Sequence, residues 1–256
     1  MVQLMFGPLN LVSEKFDKNT VLFFALLSKA SYYSPKAFIH FLRQQQISEN
    51  IQYTFIEKDS SQAYVLWDDE NFIVTFRGME PDEKLDSKFW KKSAWEGGRV
   101  HRGFEKYVNK IWDDIKVLFF EHGVNPNKRT KKVWFCGHSL GAAAATIGAA
   151  RLGTFSTGCF TYGSPRVGTK AFVNSIYCPV WRFRNHIDVI TRGPTPLLFF
   201  KHAGKLCYID SNHKLHIGVF KFFRLFKDRV KSIFNSGLDA HEIGEYCKHI
   251  NTSIGK

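Results

Sequence analysis

Apolar residues along this chain recur with two different periods, and the alternation between them sets out the elements. Residues 19–33 place Leu22, Ala25, Leu26 and Ala30 on one face of a helix. Ser34-Pro35 predicts the start of a second helix, running to about residue 46. The serine hydroxyl can cap its first N–H groups, and proline is tolerated in the first turn because no N–H is needed there. Residues 51–57, 62–67 and 71–77 are β-branched and aromatic and predict three strands, the last two joined by the turn-like Asp68-Asp69-Glu70-Asn71. Residues 102–122 return to helical spacing through Phe104, Tyr107, Val108, Ile111, Trp112, Ile115, Leu118 and Phe119, and Gly123 ends the run. From Lys132 the order is strand (132–136), helix (140–152), strand (160–162), helix (169–176) and strand (180–184). Strands alternating with helices predict an α/β fold with a mostly parallel central sheet and right-handed crossovers. No repeat and no linker rich in Pro, Gly or Ser divides the chain, so one domain over residues 1–256 is expected.

Composition adds three constraints. Hydrophobic residues make up 44% and charged residues 23%, which fits a globular chain rather than a disordered one. The 25 phenylalanines exceed what a core of this size needs, so some are expected at a groove or a lipid surface. The formal charge of +13 favours anionic partners, but no zinc-finger, helix-turn-helix or RNA-recognition signature accompanies it, and nucleic acid is not an expected partner. Five cysteines, Cys136, Cys159, Cys178, Cys207 and Cys247, are odd in number and form no C-x-x-C pair. They read as buried thiols in a reducing compartment, with no metal site. Residues 1–20 carry no signal-peptide pattern, and no run of eighteen apolar residues occurs, so a cytoplasmic location is expected.

The chemistry centres on Gly137-His138-Ser139-Leu140-Gly141, a G-x-S-x-G between a predicted strand and a helix of small residues. A strand that turns at once into a helix forces its serine into a strained conformation and lifts the hydroxyl clear of the sheet. Gly137 and Gly141 are required where a side chain would collide with neighbouring backbone, and Ala142 to Ala145 let the helix lie close. Ser139 is therefore the candidate nucleophile, and the N–H of Leu140 would face an oxyanion. A serine needs a base, and the base an orienting acid. Asp188 directly follows a predicted strand and is the leading acid, with Asp210 as the alternative. Five histidines follow Asp188, namely His202, His213, His216, His241 and His249, and spacing alone does not choose among them. His101, His138 and His202 read as packing residues.

With these residues placed, the chain resembles the class 3 lipases, a branch of the α/β-hydrolases, over roughly residues 20–250. Phe76-Arg77-Gly78 resembles the family's oxyanion strand end, and Val100-His101-Arg102-Gly103-Phe104 its V-H-x-G-F segment. The G-H-S-L-G elbow is followed by Thr161-Tyr162-Gly163-Ser164-Pro165-Arg166-Val167-Gly168, then by Phe183-Arg184-Asn185-His186-Ile187-Asp188-Val189-Ile190, the segment that bears the acid. Asp239-Ala240-His241, with Tyr246 five residues on, resembles the segment that bears the base. The resemblance implies an α/β-hydrolase fold, a Ser139–His241–Asp188 triad, hydrolysis of lipid esters (acylglycerols or phospholipid acyl chains) through an acyl-enzyme, and no cofactor. It also places the second oxyanion N–H at Met79, where the family usually has Ser or Thr. Loss of a hydroxyl donor can cost about 3–4 kcal/mol in the transition state. The competing expectation is therefore a weak or inactive lipase fold that binds lipid or a protein partner.

Two surface features complete the expectation. Residues 79–97, with Phe89, Trp90 and Trp95 among charges, occupy the place of the family's lid. Residues 214–234 set Phe220, Phe223, Phe226, Val230, Ile233 and Phe234 in a stripe beside Lys214, Lys221, Arg224, Lys227, Arg229 and Lys231. A basic, Phe-rich amphipathic segment of this kind suits peripheral binding to an anionic membrane.

Overall fold

The computed structural model describes residues 17–45, 47, 51–79, 92–95, 98–125, 128–129, 131–217 and 237–254. Two helices open the chain, α1 (Lys18–Ala30) and α2 (Pro35–Gln44). Asp17 caps the first, its carboxylate accepting from the N–H groups of Asn19 and Thr20, and Ser34 caps the second as the sequence predicts. Three antiparallel strands follow: β1 (Gln52–Lys58), β2 (Ser61–Trp67) and β3 (Asn71–Phe76). A hairpin of β4 (Lys92–Trp95) and β5 (Gly98–His101) leads into α3 (Arg102–Glu121). After the short pair β6 (Val124–Asn125) and β7 (Lys128–Arg129) come β8 (Lys132–His138), α4 (Leu140–Leu152), β9 (Ser156–Tyr162), α5 (Lys170–Asn174) and β10 (Val180–Asn185). The chain continues through β11 (Lys205–Ile209) and β12 (Leu215–Ile217) to the helix α6 (Ile243–Ile254).

The central sheet has eight strands in the order β1-β2-β3-β8-β9-β10-β11-β12. Strands β3, β8, β9, β10 and β11 are mutually parallel, and β12 returns antiparallel at the far edge. This is the mostly parallel sheet that the alternation of strands and helices predicts, in the α/β-hydrolase arrangement that the resemblance implies. The hairpin β4–β5 and the strands β11 and β12 had no counterpart among the predicted elements, and β9 begins four residues before its predicted start.

Alternation along β8 shows how the sequence divides into two cores. Val133 and Phe135 face α3 and α4, joining Phe104, Val108, Ile111, Ala143 and Ile147. Trp134 and Cys136 face the other way, toward Phe23 and Phe24 of α1 and Tyr246 and Ile250 of α6. Much of the large phenylalanine complement is spent there. Phe24 stacks on Phe160 at 4.4 Å between centroids, and Phe38 on Tyr64 at 3.8 Å. All five cysteines are buried and free, as expected. No helix among the described residues is long and apolar enough to cross a membrane.

Phe24 is fully buried, while Phe120 on α3 is 68% exposed. Truncating Phe24 leaves a cavity between α1, β8 and β9 that rigid neighbours fill only in part. Phe24→Ala should lower unfolding free energy by about 3–5 kcal/mol, and Phe120→Ala should change it by less than about 0.5 kcal/mol. Urea unfolding midpoints test both.

Candidate active site

The site is built where β8 becomes α4. Ser139 lies between them with φ 56° and ψ −122°, in the region that side chains avoid. The turn is possible only because backbone packs on backbone. A Cβ on Gly137 would lie 2.4 Å from the carbonyl of Gly141, and one on Gly141 would lie 2.2 Å from the carbonyl oxygen of Phe76. The Ser139 N–H donates to the carbonyl of Tyr162 at 3.0 Å, which fixes the turn to the end of β9. Ser139 occupies the N-cap position of α4, yet its hydroxyl makes no cap bond. It faces His241 instead, with Oγ 2.9 Å from Nε2.

His241 comes from a single 3₁₀ turn, Asp239–His241, just ahead of α6. Its Nδ1 lies 2.9 and 3.0 Å from the two carboxylate oxygens of Asp188. Donation from Nδ1–H to that carboxylate leaves Nε2 free to accept from Ser139, the tautomer that base chemistry requires. Gly163, with φ +60°, passes so close that a Cβ there would lie 2.9 Å from the His241 ring.

Asp188 is fully buried in the loop after β10. It is held by more than the imidazole. The Tyr246 hydroxyl donates to Oδ2 at 2.5 Å, and the N–H groups of Ile190 and Thr191 donate to Oδ1 at 3.0 and 3.4 Å. The same phenol accepts the Asn185 N–H at 2.9 Å, so its proton has only one direction left. Burial, reinforced by the adjacent Asp188, pushes the Tyr246 phenol well above its usual range and keeps it a donor.

His138, expected to be a packing residue, has a more specific place. It is buried, its Nε2 donates to the carbonyl of His241 at 2.6 Å, and its Nδ1 accepts from the Tyr32 hydroxyl at 2.8 Å. Burial, with the His241 ring second, pulls its pKa down to about 3. A neutral imidazole therefore ties the main chain of His241 to the strand that carries Ser139.

The remaining sequence candidates fall elsewhere. Asp210 sits at the β11–β12 turn, where Oδ1 accepts from the N–H groups of Asn212 and Lys214 and Oδ2 lies 2.7 Å from His216. It holds that hairpin. The His213 ring lies tilted against His249, whose Nδ1 lies 3.2 Å from the Asn185 side chain. His101 caps α3, its Nδ1 accepting from the Phe104 N–H at 3.3 Å. Leu140 opens α4, where first-turn N–H groups have no helical acceptor, and Met79 packs half-buried on the α3–α4 core. Gly78, just before it, has no room for a side chain, since a Cβ would lie 1.9 Å from the Tyr32 hydroxyl oxygen. Trp95 stands on β4 as part of a packed wall, its ring edge on Phe172 and the Arg151 guanidinium over its face. Phe89 and Trp90, with the rest of the expected lid at 80–91 and 96–97, lie outside the described residues, as does the stretch 218–234 of the basic amphipathic segment.

The low pKa of His138 carries a pH signature. Its folded value of about 3 lies below the ordinary 6.5, so the unfolded chain takes up a proton first as pH falls. Stability is full above 6.5 and declines toward 3, by up to about 1.4 kcal/mol per pH unit from this residue. His138→Gln should flatten the dependence of urea midpoints on pH between 6 and 4.5. An unchanged slope would mean that the folded protein protonates His138 readily.

Comparison with known proteins follows the same residues. Residues 73–198 match the family model described as Lipase (class 3), a span that holds Ser139 and Asp188 and ends before His241. Toxin TseL of Vibrio cholerae is 29% identical over 155 residues, which cover 57% of this chain and 23% of the toxin. A lipase of Rhizomucor miehei is 31% identical over 126 residues, 45% of this chain and 34% of that protein. The chain thus spans about a quarter to a third of the length of these curated relatives. The solved structure of Rhizomucor miehei triacylglyceride lipase superposes with a TM-score of 0.68 at 22% identity, over 87% of this chain and 92% of that one, which establishes a shared fold. Residues 73–198, just under half of the chain, thus match the class 3 lipase family, and the fold built around them is shared with a solved lipase structure.

Proposed function

We propose that the protein is a serine hydrolase that cleaves carboxylic esters of lipids, acylglycerols or the acyl chains of phospholipids. The observation that carries this reading is the line from Ser139 Oγ through His241 to Asp188, with the hydroxyl freed from helix capping. The names of its lipase relatives support the lipid class. So do the exposed Leu197, Phe199 and Leu238, the last only three residues before His241.

In the proposed mechanism His241 Nε2 takes the Ser139 proton as the oxygen attacks the ester carbonyl. Asp188 holds the ring tautomer and stabilises the imidazolium that forms, and the donors on its other lone pairs keep it in place. The N–H groups of Leu140 and Met79 receive the oxyanion. The alcohol leaves with the proton from His241, and water, activated by the same imidazole, then cleaves the acyl-enzyme. The chemistry uses side chains and backbone alone. The buried free thiols suit a reducing compartment, and the +13 charge suits association with an anionic membrane.

Met79 favours a second reading, in which the fold binds lipid or a protein partner without turnover. Hydrolysis of p-nitrophenyl esters by wild type and Ser139→Ala separates the two. Turnover should fall by at least about 10³-fold in the variant, and a fluorophosphonate should label wild type alone. A folded wild type that neither turns over nor labels would establish the binding reading.

Restoring a hydroxyl beside the oxyanion gives a second test. Met79→Thr should raise kcat by about tenfold or more with little change in KM, because the donor acts on charge present only in the transition state. Equal kcat in the two proteins would mean that another group already fills that role.

A further inference from the structure

Strand β10 carries two arginines on one face. Phe183 turns into the core shared by α1 and α6, so Val180, Arg182 and Arg184 turn to the opposite side. Beside that face, two loop segments are stitched together. The Arg166 N–H donates to the carbonyl of Gly193 at 2.7 Å, and the Val167 N–H to that of Lys201 at 3.1 Å. The Arg166 guanidinium donates to the carbonyls of Arg192 and Pro194. Ala203 and Val167 join the same core face as Val180. Four arginines, at 166, 182, 184 and 192, thus gather beside the carboxyl end of β10.

Among the described residues the cluster has no carboxylate paired with it. None of the four forms an ion pair with a described residue. The Nε atoms of Arg182, Arg184 and Arg192 are buried without an acceptor, as is Nδ1 of His202 beside them. Arg182 is only 8% exposed, whereas Arg166, Arg184 and Arg192 are half-buried. Burial and then the neighbouring Arg184 lower the Arg182 pKa to about 10, and burial and then Arg182 bring His202 down to about 2. Asp188 acts on Arg184 from nearby, but its oxygens are taken up by His241, Tyr246 and two backbone N–H groups. Desolvated like charges with unpaired donors are costly unless an anion joins them. Guanidinium forks match the spacing of oxygens on a tetrahedral centre, and several converging forks select phosphate over chloride.

We propose that Arg182 and Arg184, with Arg166 and Arg192 beside them, form a binding site for a tetrahedral oxyanion of the phosphate class, with Arg182 as its floor and the other three as its mouth. The ligand is a phosphomonoester-type group, carried by a soluble phosphate compound or by an anionic phospholipid headgroup. The site is separate from the Ser139 hydroxyl, and its occupancy does not depend on ester hydrolysis.

The test uses the Ser139→Ala protein, so that no acyl chain is cleaved and the hydrolase reading is not at stake. Thermal unfolding is followed in sodium phosphate and in sodium chloride of matched ionic strength. Phosphate should raise Tm saturably, by about 3–6 °C at tenfold its dissociation constant. Arg184→Gln and, on the half-exposed turn after Thr191, Arg192→Gln should each abolish most of that rise. Flotation with phosphatidylcholine vesicles, with and without phosphatidic acid, then identifies the source. Flotation that requires phosphatidic acid, competes with free phosphate and is lost in Arg192→Gln assigns the site to a headgroup. Phosphate stabilisation without such flotation assigns it to a soluble phosphate compound. An equal response to phosphate and chloride, or folded variants that respond like the parent protein, overturns the proposal.

Discussion

At the junction of β8 and α4 the chain reverses from strand to helix across one residue, and it can do so only where main chain touches main chain. Gly137 sits on Gly141, and Gly141 on the carbonyl of Phe76. That contact sets how close α4 lies to β3 and β8, which is why the buried face of the helix is alanine, and it fixes Ser139 at φ 56°. Strain at one residue costs about 1–3 kcal/mol and persists only when its surroundings over-determine it. Here they do. The Ser139 N–H is tied to β9, Gly137 pairs in register with Phe76 and Thr161, and α4 is buried along its length. The hydroxyl is left to point at His241 because the backbone has no other conformation to offer it.

The same turn orders the opposite face of the sheet. Alternation along β8 sends His138 to the side of Trp134 and Cys136, the side that α6 covers. From there it grips the carbonyl of His241, while Tyr246, one turn into α6, grips Asp188. The three groups of the proposed triad come from segments far apart in sequence, His241 lying 102 positions after Ser139. Their convergence depends on one helix being held by two hydrogen bonds from partners that stay in a single protonation state. A charged His138 would lose its acceptor role toward Tyr32, and an ionised Tyr246 would repel Asp188. Burial prevents both.

How much of this was legible in the residues depended on range. The elbow is local, so spacing and residue size at 137–145 disclosed it, and period-two and helical patterns located β1 to β3, β8, α3 and α4. The strands β11 and β12 were missed because each is short and follows turns without alternation. The start of β9 was missed because Ser156, Thr157 and Gly158 lack the bulk that marks a strand, Gly158 being small where the Trp134 ring lies against it. The histidine was ambiguous for a different reason. Five candidates followed Asp188, and only contacts across the sheet distinguish a ring facing Ser139 from rings facing Asn185 or Asp210. The resemblance to lipases chose His241 where spacing did not. Backbone donors to Asp188 carry almost no residue signature, since any residue but proline at 190 or 191 leaves the N–H in place.

The charge of the chain reads differently once the interior is known. A formal +13 suggests a basic exterior, yet Arg182 is inside and Arg184 half-buried, on the strand that ends at the loop of Asp188. These arginines add little to steering a partner through solvent, because their fields are spent at short range on each other and on His202. Their effect is on the loop. Residues 190–192 form one 3₁₀ turn that gives two N–H groups to Asp188 at one end and the Arg192 guanidinium to the cluster at the other. A bound anion that ordered Arg192 would thereby order the donors that hold the acid. The acid of the proposed triad and the unpaired arginines are two faces of a single turn, and the geometry of one cannot change without moving the other.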